Sequence, residues 1–181
     1  MSAIKTLAKF AVILVVVLVI VTLFLPAKTH VERSIVVNTQ PKLVYSYVQD
    51  FQKFNEWSPW ARIDPDTQYT YSDPSSGVGA RMAWQSEHPD VGSGAQQILA
   101  VRIDEYVEMA LDFGDMGTAN ASYELLPDGG ATIVTWNFDT DNGFNPIARI
   151  FGVMMDGMLG PIYEEGLLNL KKVVETAEVG E

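Results

Sequence analysis

Near the C-terminus, Leu159, Tyr163, Leu167, Leu170 and Val174 recur at steps of four, four, three and four, which puts them on one face of a helix. Pro161 suits a first helical turn, Glu164 and Glu165 suit a helix N-terminus, and Lys171 and Lys172 suit the other end. Gly166 costs helix propensity, so its place on or beside the stripe points to a close backbone approach to a sheet. Upstream, Pro161 and the glycines at 152, 157 and 160 interrupt the pattern. Asn145-Pro146 there offers the start of a separate short helix through Met155.

From residue 68 the period is two. Strands are predicted over 68–72, 79–85, 95–103, 105–113, 119–126 and 132–139, with an earlier one over 31–37. The separators are rich in Gly, Pro, Asp and Ser and too short for crossover helices, so the sheet is an antiparallel meander. Apolar faces are clear at Met82 and Trp84, at Val107, Met109 and Leu111, and at Val134, Trp136 and Phe138. Residues 95–103 are apolar on both faces, and no inward side is assigned to them. Between the first strand and the meander, Asn38-Thr39-Gln40-Pro41 signals a helix start with Asn38 or Thr39 as N-cap. The stretch from Asp50 to Trp60 then predicts a second short helix that ends before Pro59.

The N-terminus follows neither period. Phe10 to Leu25 contains Thr22 as its one polar residue and is preceded by Lys5 and Lys9. Those sixteen residues span about 24 Å as a helix against a hydrocarbon core of about 30 Å. Starting from Ile4, with both lysines snorkelling, the length suffices. A cleaved signal peptide competes with this reading, but cutting after Ala27 leaves Leu25 where a small residue is needed. Residues 1–27 are therefore expected to be an uncleaved transmembrane anchor and 28–181 one globular domain. The two lysines favour a cytoplasmic N-terminus, which puts the domain outside, in the periplasm of a Gram-negative cell.

Charge narrows the partners. The formal net charge is −11, and beyond residue 27 ten Lys and Arg face all twenty-three acids, about −13. So acidic a domain repels polynucleotides, and no nucleic-acid partner is expected. Cys is absent, and His30 and His88 are isolated, which leaves no set of metal ligands and no hydrolytic triad. Asp139-Thr140-Asp141-Asn142-Gly143 resembles a calcium loop, yet Ile150 stands where the closing Glu belongs, so a turn is the better reading. No metal or cofactor is expected. Arg81, Arg102 and Arg149 are the basic side chains that a ligand anion would meet if any were buried; surface pairing with acids is the alternative.

A strand, two short helices, a six-stranded meander and a C-terminal amphipathic helix make an α+β order. With Phe51-x-x-Phe54-x-x-Trp57-Ser58-Pro59-Trp60 and Gly166-Leu167-x-Asn169-Leu170-Lys171, it resembles the START-related, polyketide cyclase/dehydrase and lipid-transport (SRPBCC) superfamily over roughly residues 30–176. The resemblance implies a helix-grip fold, a curved sheet wrapped around a long C-terminal helix, with an apolar ligand cavity between them. Residues placed to line it are Trp60, Met82, Trp84, Met109, Trp136, Phe138, Phe151 and Met155, although each is equally suited to filling a core. Three function classes stay open: a membrane-tethered binder of an apolar or amphipathic small molecule (lipid, isoprenoid or polyketide-like), a cyclase, dehydratase or hydrolase using the same cavity, and a ligand-free module acting through protein contacts. An open cavity favours the first two; a filled core favours the third.

Overall fold

The computed structural model describes residues 7, 9, 13, 16, 17 and 19–179. Seven strands form one antiparallel sheet: β1 (Lys28–Val37), β2 (Gln68–Tyr71), β3 (Arg81–Gln85), β4 (Ser93–Arg102), β5 (Tyr106–Asp112), β6 (Thr118–Asp128) and β7 (Ala131–Asp141). Three short helices, α1 (Pro41–Val48), α2 (Phe51–Trp57) and α3 (Trp60–Ile63), follow β1, and α4 (Pro146–Val179) closes the domain. The sheet order β1-β7-β6-β5-β4-β3-β2 is the expected meander, with β1 added at its last strand.

The inward positions follow from the register. Val31 pairs with Phe138 and Arg33 with Trp136 across β1 and β7; Ala121 and Tyr123 continue those rows into β6, and Met109 and Ile98 extend the first into β5 and β4. A bulge between Ile98 and Ala100 reverses the parity of β4, which is why 95–103 looks apolar on both faces. Before the bulge, Gln96 shares a face with Met82 and Leu111, and Tyr71 and Tyr69 carry that face onto the edge strand.

Helix α4 runs beside β1 along its whole length. Arg33 binds Asp156 and Glu164, Lys171 Nζ donates to the Val36 carbonyl at 2.7 Å, and Glu175 accepts from the Asn38 main-chain and side-chain nitrogens at 2.8 Å. Three glycines allow the approach: a Cβ at Gly152 would strike Thr29, one at Gly160 the Arg33 guanidinium, and one at Gly166 would lie 2.7 Å from the Trp136 ring.

Three local expectations are corrected. Helix α4 is continuous through Pro161, with no separate helix ending at Met155. Pro161 is exposed, and the residue four back is Gly157, which has open space around it, so the backbone has room for the ring. Asn145 caps α4, its Oδ1 accepting from the Ile147 and Ala148 amides. The N-cap of α1 is Gln40 rather than Asn38 or Thr39, because Asn38 is committed to Glu175. The chain also makes the extra turn α3 after Pro59.

About half of the expected anchor falls outside the described residues. Among the described residues no helix is long and apolar enough to cross a membrane, so a transmembrane helix is not supported by them. Of the side chains described there, Ile13, Val16, Ile20 and Phe24 are apolar and exposed, while Thr22 is buried with its hydroxyl donating to the Val19 carbonyl.

Candidate functional site

The region beneath α4 is lined by two groups of side chains. At the β1–β7 side it is filled by aromatic rings. Trp136 stacks on Tyr163 with centroids 3.8 Å apart and planes 12° apart, while Trp57, Trp60 and Phe54 meet it edge-on at 5.4, 5.9 and 6.4 Å. Tyr123 closes the cluster at 5.3 Å. Burial pushes the Tyr123 and Tyr163 phenols up, so neither ionises to serve as a base. The Trp57 and Trp136 indole nitrogens are buried with no hydrogen-bond partner among the described residues.

Toward β3–β5 the inner face is lined by Met82, Met109, Ala119, Ala121 and Phe138, all buried, with Trp60, Trp84, Leu111, Phe113, Met155 and Leu159 half-buried around them. Within this apolar wall lies one buried amide, Gln96. Among the described residues its Nε2 reaches only the Met82 Sδ, at 4.0 Å, and a thioether is a weak acceptor. Gln96 was not foreseen, since its inward facing depends on which side of the bulge it lies.

Of the residues expected to line a cavity, Met82, Met109, Trp136 and Phe138 share the inner face, and Trp60, Trp84 and Met155 stand at its half-buried margin. Phe151 does not join them; it lies on the outer side of α4 and is half exposed. Trp136 belongs to the filled part, and the Met82–Met109 group to the part beside Gln96.

None of the three arginines waits for a ligand anion. Arg81 is exposed, and Arg102 lies over the Tyr106 ring and pairs with Glu105 at 3.4 Å on the surface. Arg149 is buried, and its partners are backbone carbonyls. Nε donates to Gly143 at 2.8 Å, and Nη1 donates to Leu25 at 3.1 Å and to Leu23. The inward charge that matters is Arg33, which shares a face of β1 with Val31 and Ile35. Its Nη1 and Nη2 grip Asp156 at 2.8 and 3.2 Å and its Nε grips Glu164 at 2.7 Å. The guanidinium holds the Asp156 carboxyl below the usual carboxylate range. Among the described residues Arg33 is the one charged side chain at an inward strand position, and it ties β1 to α4 rather than facing open space.

An open depression of about 630 Å³ lies elsewhere, at the β2–β3 edge, lined by Asp64, Asp66, Ser86, Glu87 and His88. Asp64, Asp66 and Glu87 give it three carboxylates. Ser86 Oγ donates to Asp64 and accepts the His88 main-chain amide, so the hydroxyl is not presented to the His88 imidazole and no nucleophilic pair forms. The Asp139–Gly143 stretch completes β7 and turns, Asp141 accepting from the Gly143 amide at 2.9 Å. No group of three or more His, Asp or Glu among the described residues could hold a metal ion.

The fold has solved counterparts. A Staphylococcus aureus protein of unknown function matches with a TM-score of 0.61 and 15% identity, over 83% of this chain and 97% of that one. A Mycobacterium smegmatis protein matches with a TM-score of 0.60 and 14% identity, over 82% and 92%. The di-domain ARO/CYC protein StfQ from the steffimycin biosynthetic pathway matches with a TM-score of 0.60 and 10% identity, over 84% of this chain and 52% of that one. At such identities the likeness is one of fold. No curated protein sequence matches the chain. The family model described as polyketide cyclase / dehydrase and lipid transport matches residues 28–175, from the first residue of β1 to the last turns of α4. The chain belongs to that family.

Proposed function

We propose that residues 28–181 bind a small apolar or amphipathic molecule, such as a lipid, isoprenoid or polyketide-like compound, against the inner face of β3–β6. Residues 1–27 hold the domain at a membrane, with the domain on the outer side. The observation that carries the reading is Gln96, a buried amide in an apolar wall whose nitrogen has a sulfur as its partner. Burying an amide without a proper hydrogen bond costs about 1–3 kcal/mol, and a hydroxyl or carbonyl oxygen on an apolar ligand would recover it. Trp60, Trp84 and Met155 give such a molecule an adaptable margin. Burying about 300 Å² of ligand surface at about 25 cal/mol per Å² offers roughly 7 kcal/mol before association costs, enough for micromolar binding without an ion pair.

Binding rather than catalysis is favoured because the inward strand positions carry no carboxylate or imidazole to act as acid or base. The filled aromatic cluster around Trp136 favours a second reading, a domain without a ligand of its own that works through protein contacts. Titrating the full-length protein in nanodiscs with a long-chain fatty acid and a polyprenol separates the two. Saturable quenching of tryptophan emission, with a matching adduct in native mass spectrometry, supports the binder; no saturation and no adduct supports the protein-contact module.

A further inference from the structure

The first half of α4 carries an apolar face that is uncovered among the described residues. Ile147, Phe151, Met154 and Met158 recur at steps of four, three and four, and each is more than half exposed. Phe144, just before the helix, is 86% exposed. In a chain of net charge −11, the stretch from Gly143 to Tyr163 contains two charged residues, Arg149 and Asp156. Arg149 is buried, donating to the carbonyls of Gly143, Leu23 and Leu25 and lying 5.7 Å beneath the Phe144 ring, and Asp156, though exposed, is on the β1 side of the helix, clasped by Arg33. The exposed face is therefore free of charge.

Its position is fixed by the same Arg149. Through Leu23 and Leu25 the guanidinium joins the start of α4 to the end of the N-terminal apolar segment, so both apolar surfaces sit at one end of the domain. The side chains described in that segment do not cover the α4 face, since Val17, Ile20 and Phe24 are themselves exposed. Two adjacent uncharged apolar surfaces, one of them leading out of a hydrophobic run, share one occupant that satisfies both: a lipid bilayer. We propose that the Phe144–Met158 face of α4 rests in the interfacial layer of a zwitterionic bilayer, as an amphipathic helix does, an inference that rests on the membrane-anchor reading above. The strongly acidic domain and the lack of lysine or arginine on this face select zwitterionic rather than anionic lipid. From Ile147 to Met158 the face is about 17 Å long at 1.5 Å per residue.

The absence of cysteine makes the test clean. Full-length protein with Met154→Cys, or with Leu126→Cys on exposed β6 at the opposite end of the sheet, is labelled with an environment-sensitive fluorophore. It is then reconstituted into phosphatidylcholine vesicles with or without a nitroxide-bearing lipid, and flotation reports whether the protein is in the vesicles. The expected result is co-flotation, a blue-shifted emission at position 154, and quenching there several-fold stronger than at 126, unchanged when protein is diluted at fixed lipid. Co-flotation with 154 no more quenched than 126 overturns the docking while leaving the anchor in place. A shift at 154 that fades on dilution of the protein assigns the face to a second copy of the chain and also overturns it. Failure to float at all overturns both the anchor and the docking.

Discussion

Trp136 of β7 and Tyr163 of α4 lie face to face, ring centroids 3.8 Å apart, and this pair joins sheet to helix at the centre of the domain. Trp136 is 2% exposed and touches Phe54, Trp57, Trp60 and Tyr123 as well. It is a core residue rather than the wall of an open cavity. Trp136→Ala should therefore cost about 3–5 kcal/mol, seen as a lower urea midpoint with the slope kept. A cost below about 1 kcal/mol would mean that the ring faces open space.

The same pair sets the sign of a glycine substitution. Gly166→Ala gains about 1 kcal/mol of helix propensity but places a Cβ 2.7 Å from the Trp136 ring, which its neighbours prevent from moving. The net effect should be a loss of about 1–2 kcal/mol. Gly157→Ala, nine residues earlier on the same helix, meets nothing within 4 Å and should gain up to about 1 kcal/mol. Equal effects in thermal unfolding of the two variants would show that the close approach at Gly166 is not what fixes α4.

His30 gives the fold a mild pH dependence. Its Nδ1 lies 2.9 Å from Asp139 and its Nε2 3.6 Å from Glu32, and the hydrogen bond to Asp139, first among the causes, raises its pKa above 6.5. Folding therefore favours the protonated ring. That contribution is complete below about pH 6.5 and is lost as pH rises through the raised value. The ring is half exposed, so the effect is small. Unfolding midpoints at pH 5.5 and 8 should differ slightly in favour of the lower pH, and His30→Gln should remove that difference. Asp156 acts in the opposite direction: its lowered carboxyl stabilises the fold above its ordinary 3.8 and ceases to as pH falls. A wild-type midpoint that rises between pH 5.5 and 8 would contradict the His30 assignment.

The sheet was legible because half-buried strands alternate, and six of the seven show it plainly; Gly166 was legible because a glycine inside an apolar helical stripe needs a reason. What escaped depended on facts that no local pattern carries. The bulge after Ile98 decides that Gln96 faces inward, and it breaks the very periodicity that would have revealed it. The continuity of α4 through Pro161 rests on solvent around the ring and on open space at the preceding turn, neither of which a local pattern shows. Arg149 was noticed as a cation in need of a partner, but its partners are carbonyls 124 and 126 residues away in sequence, at Leu25 and Leu23. The resemblance implies a cavity that Phe151 would line, but the helix presents Phe151 outward, since α4 runs unbroken through this stretch.

The ligand reading turns on Gln96, and one comparison tests it most directly. Full-length protein and Gln96→Leu, both in phosphatidylcholine nanodiscs, are titrated with a long-chain alcohol and with the alkane of equal length, following tryptophan emission. If the buried amide meets a ligand oxygen, the wild type binds the alcohol about tenfold or more tightly than the alkane, the equivalent of about 1.4 kcal/mol. In Gln96→Leu that preference should vanish while the alkane still binds. A wild type that binds neither ligand, or a preference that survives in Gln96→Leu, would contradict the account.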